Sequence, residues 1–194
     1  MHEFICWFGV SPMPGNPHDL KSFWCYNDFV KRTYAFIDAS NIIYGAKAEG
    51  WFIDQKKLIE YLKDKFSINK AFFYYGKDSK SKKKENFLKK LKQFGYILRV
   101  KEIKRFGKRT KANCDVDLTM DMILMMKKYQ RAIVLTGDGD FAPLLSYLIT
   151  KKKKIIIISS PKRTAKEIKR IAGDQHIDFG SLRYFLEYKK RGRP

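Results

Sequence analysis

The run KIIIISS at 154–160 carries four consecutive isoleucines. Side chains alternate between the two faces of a strand, so such a run needs apolar cover on both. A sheet covered twice is a parallel sheet layered between helices. Other short runs repeat the theme: TYAFID (33–38), KAFFYY (70–75), YILRV (96–100), RAIVLT (131–136) and HIDF (176–179). Helical patterns stand between them. QKKLIEYLKDKF spaces Leu58, Ile59, Leu62 and Phe66 as one helix face behind Asp54, which reads as its cap. SKSKKKENFLKKLKQF (79–94) predicts a very basic helix with Phe87, Leu88, Leu91 and Phe94 inward, stopped by Gly95. VDLTMDMILMMKKY (116–129) is apolar nearly all round and predicts a well-buried helix. FAPLLSYLIT, TAKEIKRIA and SLRYFLEY supply three more, with Pro143 tolerated in a first turn.

At 194 residues and 44% hydrophobic content, the chain can bury one substantial core. Three parts follow from the pattern. Residues 1–31 hold no period, and SPMPGNPHD carries three prolines, so they read as an irregular arm whose aromatics dock in part on the domain. Residues 32–187 are the regular domain, and 188–194 a solvated basic tail. No apolar stretch approaches the roughly 18 residues of a membrane span. The start MHEFICWFGV lacks a basic leader, so a secretory signal is not expected. Cys6, Cys25 and Cys114 show no CxxC spacing, which suggests a reducing, cytoplasmic setting.

Acids sit where the strands end. Asp38 closes TYAFID, with Asn41 three residues on, and Asp138 and Asp140 follow RAIVLT within TGDGDF. Ligands of parallel α/β sheets bind outside the carboxyl ends of the strands. Asp115, Asp117 and Asp121 mark a helix start, with 117 and 121 on one face. Two carboxylates about 4 Å apart repel by roughly 4 kcal/mol at an effective dielectric of about 20, so a proton, a lysine, solvent or a metal must offset them. Each acid has a plainer reading. Asp115 and Asp140 can be helix caps, and Asp121 can be a salt bridge to a lysine. Asp38 precedes ASN rather than a turn and has no evident capping duty. Hard oxygen donors without histidine or cysteine partners favour Mg²⁺ or Mn²⁺, one ion or two, over zinc.

Lys plus Arg number 41 against 20 acids, a formal net charge of +21, which favours a polyanionic partner, with an anionic membrane surface or mere solubility as the plainer alternatives. KEIKRFGKRTKAN (101–113) gathers Lys101, Lys104, Arg105, Lys108, Arg109 and Lys111 ahead of Asp115, and Phe106 is placed to stack on a base. SKSKKK (79–84) adds a second basic surface. An acidic centre with a basic rim suits cutting a phosphodiester: cations hold the backbone and acids hold the metal.

FIDASN (36–41), KANCDVDLTMD (111–121) and TGDGDF (136–141), in that order on alternating strands and helices, resemble the NYN domain of LabA-like proteins. AGDQHIDFGSLR resembles that family's closing segment. The resemblance covers roughly 32–187 and implies a PIN-like nuclease fold: α/β, a Rossmann-like three-layer sandwich with a central, mostly parallel sheet. It implies a metal-dependent ribonuclease acting on RNA. Asp38, Asn41, Asp115, Asp138 and Asp140 match its catalytic motifs, and the four aspartates of that set match its metal ligands. Asp117, Asp121 and Thr136 stand in support. The middle motif departs from the family's usual Lys-Gly, reading KANCD here.

Two alternatives accompany this expectation. One is an RNA-binding module that keeps the fold without useful catalysis. The other is a phosphatase of the haloacid-dehalogenase type, suggested by GDGD. That chemistry needs a second aspartate two residues after the first, and Asp38 is followed by Ala39 and Ser40. Pairing into a homodimer is left open by the sequence.

Overall fold

The computed structural model describes residues 32–77, 82–102, 104–106, 109–111 and 114–189. The arm read at 1–31, residues 190–194 of the tail, and Lys108 lie outside the described residues.

In chain order, β1 (Thr33–Asp38) leads into α1 (Ala39–Ala48) and α2 (Gln55–Phe66). β2 (Lys70–Lys77), α3 (Lys82–Phe94) and β3 (Tyr96–Glu102) follow. Two three-residue strands, β4 (Lys104–Phe106) and β5 (Arg109–Lys111), pair with each other in antiparallel fashion. Then come α4 (Asp115–Leu124), β6 (Arg131–Leu135), α5 (Ala142–Thr150), β7 (Lys154–Ser159), α6 (Lys166–Ala172), β8 (His176–Asp178) and α7 (Arg183–Leu186).

The main sheet runs β3-β2-β1-β6-β7-β8 and every pairing is parallel. The chain builds outward from β1 to β3, then returns to the middle and builds the other half from β6. Between β1 and β6 the direction of winding reverses, and there the loops leaving neighbouring strands diverge and open a crevice.

Strand alternation explains the unbroken apolar runs. Ala35, Ile37, Phe73, Ile133, Leu135 and Ile158 face one layer, with buried residues of α1, α2, α3 and α7. Tyr34, Phe36, Phe72, Tyr74, Val134 and Ile157 face the other, with α4, α5 and α6. Asp54 caps α2 as expected, accepting from Lys56 N at 2.9 Å and Lys57 N at 3.3 Å. Gly95, at φ +101°, ends α3 in a conformation that side chains resist. Phe87, Leu88, Leu91 and Phe94 pack inward on that helix, as its spacing predicts.

One element was missed and one expectation is corrected. The sequence pattern did not show α1, whose buried stripe is Ala39, Ile42, Gly45 and Ala46. Small residues bury a helix against a sheet without producing a strong apolar period. The helix expected over 116–129 ends at Leu124, and a 3₁₀ turn covers Met126–Lys128. It is not buried all round: Leu118 and Met122 are buried, while Val116, Met120, Ile123 and Leu124 are exposed. Composition alone does not fix which apolar residues face the sheet, and a single covered face needs only two of them here.

Leu118 and Leu124 share helix and residue type but differ in exposure, 1% against 68%. Leu118→Ala is expected to cost about 2–5 kcal/mol of stability. Leu124→Ala should stay within about 0.5 kcal/mol. Urea denaturation of the two variants measures the difference.

Candidate active site

The site is built where β1 and β6 end. Asp38 is the last residue of β1 and the N-cap of α1. Its Oδ1 accepts from Ser40 N at 3.0 Å and Asn41 N at 3.2 Å, so the capping duty not evident in the sequence is real. Its Oδ2 accepts from Thr136 Oγ1 at 3.3 Å. Thr136 follows β6, is fully buried, and its oxygen accepts from Asp138 N at 3.3 Å. One hydroxyl thus joins Asp38 to the loop bearing Asp138. Asn41 Oδ1 accepts from Gly137 N at 3.1 Å and ties the same two strand ends a second time.

The loop after β6 is also pressed from its far side. A Cβ on Gly137 would lie 3.0 Å from Thr164 Oγ1 and 3.1 Å from Thr164 Cα, so a side chain there would require Thr164 to give by a few tenths of an ångström. Ala165 N donates to Gly137 O at 2.9 Å. Asp138 Oδ1 accepts from Asp140 N at 3.1 Å and caps the short turn Gly139–Phe141. The cap is therefore Asp138; Asp140 stands exposed and does not cap α5.

The electrostatics centre on Asp38. Burial raises its carboxyl above the usual range, the Asn41 N–H pulls it down, and the negative charge of Asp115 raises it again. All three of its described hydrogen bonds have Asp38 as acceptor, which favours the anion. A half-desolvated anion beside a second carboxylate is suited to a cation. No ion pair to Asp38 occurs among the described residues. Asp115 opens α4, preceded by Cys114, a half-buried residue packed on the second core layer. Burial, with the Asp117 charge, pushes that thiol up to about 11.

The donor chemistry at this rim, carboxylate oxygens in a partly dry crevice, fits a hard divalent ion. Among the described residues no group of three or more His, Cys, Asp or Glu is gathered as a ready-made metal cage. Asp38 and Asp138 are linked through Thr136, and Asp115 acts on Asp38 through charge.

Asp117 and Asp121 do different work. Lys101 Nζ lies 2.9 Å from Asp117 Oδ2, and Arg99 Nε lies 2.7 Å from Asp121 Oδ2. Tyr74 Oη also donates to Asp121 Oδ2 at 2.9 Å, and Arg99 covers the Phe72 ring at 5.6 Å. The partners of Asp121 are therefore an arginine and a tyrosine, not a lysine. With Val100 and Met120 these four charged residues line an open groove of about 320 Å³ between β3 and α4. Lys101, read as a nucleic-acid contact, is thus half of an ion pair. On the β4–β5 ribbon, Lys104 stands opposite Lys111, Arg105 opposite Thr110 and Phe106 opposite Arg109.

A polar network beside the site was not seen in the sequence. Thr164 Oγ1 lies 2.8 Å from Ser159 Oγ and 2.6 Å from Ser160 O, and Ser159 Oγ lies 2.9 Å from His176 Nε2. Ser160 Oγ donates to Glu49. The polar stretch SSPKRT after an apolar strand was its only trace.

A six-stranded parallel sheet with carboxylates at its reversal point is an α/β architecture, and the family match and the likeness to LabA suggest a PIN-like, nuclease-type domain. The chain belongs to the NYN family, whose domain it matches over residues 32–182. It is 31% identical over 173 residues to the low amplitude and bright protein LabA of Synechococcus elongatus, covering 84% of this chain and 91% of that protein. Its fold is like that of a crystallised protein of unknown function from Vibrio parahaemolyticus, with a TM-score of 0.67 and 22% identity. That match covers 76% of this chain and 91% of the other.

Asp38→Asn keeps a side-chain oxygen for the α1 cap and removes the desolvated charge. A raised native pKa stabilises the fold below the unfolded pKa, and that stability is lost as pH rises through the native value. The variant should therefore be more stable than the parent at neutral pH, with Tm up by a few degrees. The gap should close on acidification. Melting curves between about pH 3 and 8 test this, and a gap that widens in acid contradicts the assignment.

Proposed function

We propose that the chain is a metal-dependent ribonuclease that hydrolyses RNA phosphodiester bonds at the rim between β1 and β6. The observation that carries this reading is Asp38: desolvated, fixed by three donors, and facing the charge of Asp115. Asp38, Asp115, Asp138 and Asp140 would hold one or two Mg²⁺ or Mn²⁺ ions. Such an ion neutralises phosphate charge and lowers the pKa of water. Thr136 and Asn41 hold the two strand ends in register. Gly137 keeps the loop close to Thr164, and Asp138 shapes the turn that presents Asp140. The basic stretch from Lys104 to Lys111 would hold the phosphate backbone, with Lys101 already paired to Asp117. A reducing, cytoplasmic setting belongs to the same reading. It accords with the described residues, among which no helix is long and apolar enough to cross a membrane.

One observation favours a second reading, an RNA-binding module without useful catalysis: no three potential ligands are gathered among the described residues. The two readings separate cleanly. Labelled single-stranded and structured RNA should be cut with Mn²⁺ present and left intact with EDTA. Asp38→Asn and Asp138→Asn should each lower the rate by about 10²-fold or more, the scale of losing a main electrostatic contributor. Cutting that survives EDTA or Asp138→Asn rules out the nuclease proposed here. Salt-sensitive binding without any cutting, unchanged by Asp38→Asn, favours the binding module.

A further inference from the structure

We infer that the outer face of α3 binds the phosphate backbone of RNA and leads the strand along the β3 end of the sheet toward the acid rim. The inference rests on RNA being the substrate and adds a surface to that reading.

The helix has six lysines and one glutamate in thirteen residues. Its apolar side, Phe87, Leu88, Leu91 and Phe94, is spent on the core. At about 100° per residue, Lys82, Lys89 and Lys92 fall on the opposite half and Lys83 and Lys90 flank the apolar side; all five are exposed. No ion pair engages these five among the described residues. On the neighbouring α2 two of the four lysines are engaged. There Lys56 pairs with Glu60 at 3.7 Å and Lys57 donates to Glu187 O at 2.9 Å.

Helix stability does not explain the pattern. The N-terminal end of a helix is its positive pole and favours acids, yet the first turn of α3 sets three lysines, Lys82, Lys83 and Lys84, beside a single acid, Glu85. Like charges crowd the same face. A polyanion relieves both penalties, and the counterions it displaces drive the binding. A membrane surface is the poorer occupant. An amphipathic helix docks on lipid through an apolar face, and the apolar face of α3 already covers the sheet.

Position supplies the direction. α3 packs against β3, the end strand of the sheet, and follows the carboxyl end of β2. Lys82 and Lys83 therefore stand on the same sheet edge as Asp38 and Asp138. The stripe runs about 20 Å from there, long enough for several consecutive phosphates.

The test is fluorescence anisotropy with a labelled single-stranded RNA in EDTA across a salt series, so that binding is read without cleavage. Two variants remove three charges each. Lys82→Gln with Lys89→Gln and Lys90→Gln strips the α3 face. Lys151→Gln with Lys152→Gln and Lys154→Gln strips the α5–β7 turn at the opposite sheet edge. Gln supports helix well, and circular dichroism checks the fold. The α3 variant should lower the slope of log K against log salt by about 2, at about 0.7 per lost single-strand phosphate contact, and weaken binding about tenfold or more near 0.1 M salt. The control should lose less than half as much. Equal losses in both variants mean that net charge alone acts, and they overturn the inference, as does unchanged binding by the α3 variant. Capture on phosphatidylserine vesicles that depends on these lysines, with no RNA bound, assigns the face to membranes and also overturns it. RNA binding that depends on α3, in a protein that cuts nothing, leaves this surface standing and removes only the nuclease reading.

Discussion

A single buried hydroxyl ties the acid rim together. Thr136 donates to Asp38 and accepts from the amide of Asp138, so the end of β1 and the loop after β6 cannot separate without stranding a buried polar group. The Asn41 contact with Gly137 N repeats the tie a few residues away. Parallel strands have no hairpin to fix their ends relative to one another. At a reversal point the two loops leave in opposite directions, and side-chain bridges of this kind must supply the register that chain connectivity does not.

How a rim of aspartates survives in a chain of net charge +21 is a question of distance and partner. Asp117 and Asp121 are neutralised locally by Lys101 and Arg99, and both pairs are partly exposed, so their stabilising effect is small. What they accomplish is geometric: they fasten α4 to β3. Asp38 has no such partner among the described residues and lies in a drier place. Its charge is kept by hydrogen bonds rather than by a counter-charge. That division separates acids paired with a cation of the chain from an acid whose charge has no such partner among the described residues.

Much of this was legible in the residues. KIIIISS can be buried only on both faces, and β7 lies inside a six-stranded parallel sheet. The inward set of α3 follows directly from its spacing. Asp38, Asp138 and Asn41 were readable because a strand end is a place in a parallel sheet as well as in a sequence. The misses share a cause. α1 hides because Ala39, Gly45 and Ala46 bury without being strongly apolar. The exposed side of α4 was misjudged because Met120 and Leu124 look like core residues until the sheet has chosen a face. Thr136 stood out only as a supporting residue, since a hydroxyl's value depends on two partners 98 residues and two residues away. The Thr164 and Ser159 contacts join different elements across the sheet edge, and no local pattern records them.

The packing behind the loop completes the physical account. Gly137 packs closely on Thr164, so that a Cβ there would be tight, and Thr164 is itself held near Ser159, Ser160 and through them His176 and Glu49. The rim is thus clamped from both sides: by Asp38 and Asn41 across the switch point, and by the β7–α6 loop behind it. Asp138 is thus held by the fold through Thr136 as well as by its own short turn, and Asp140 is carried on that turn.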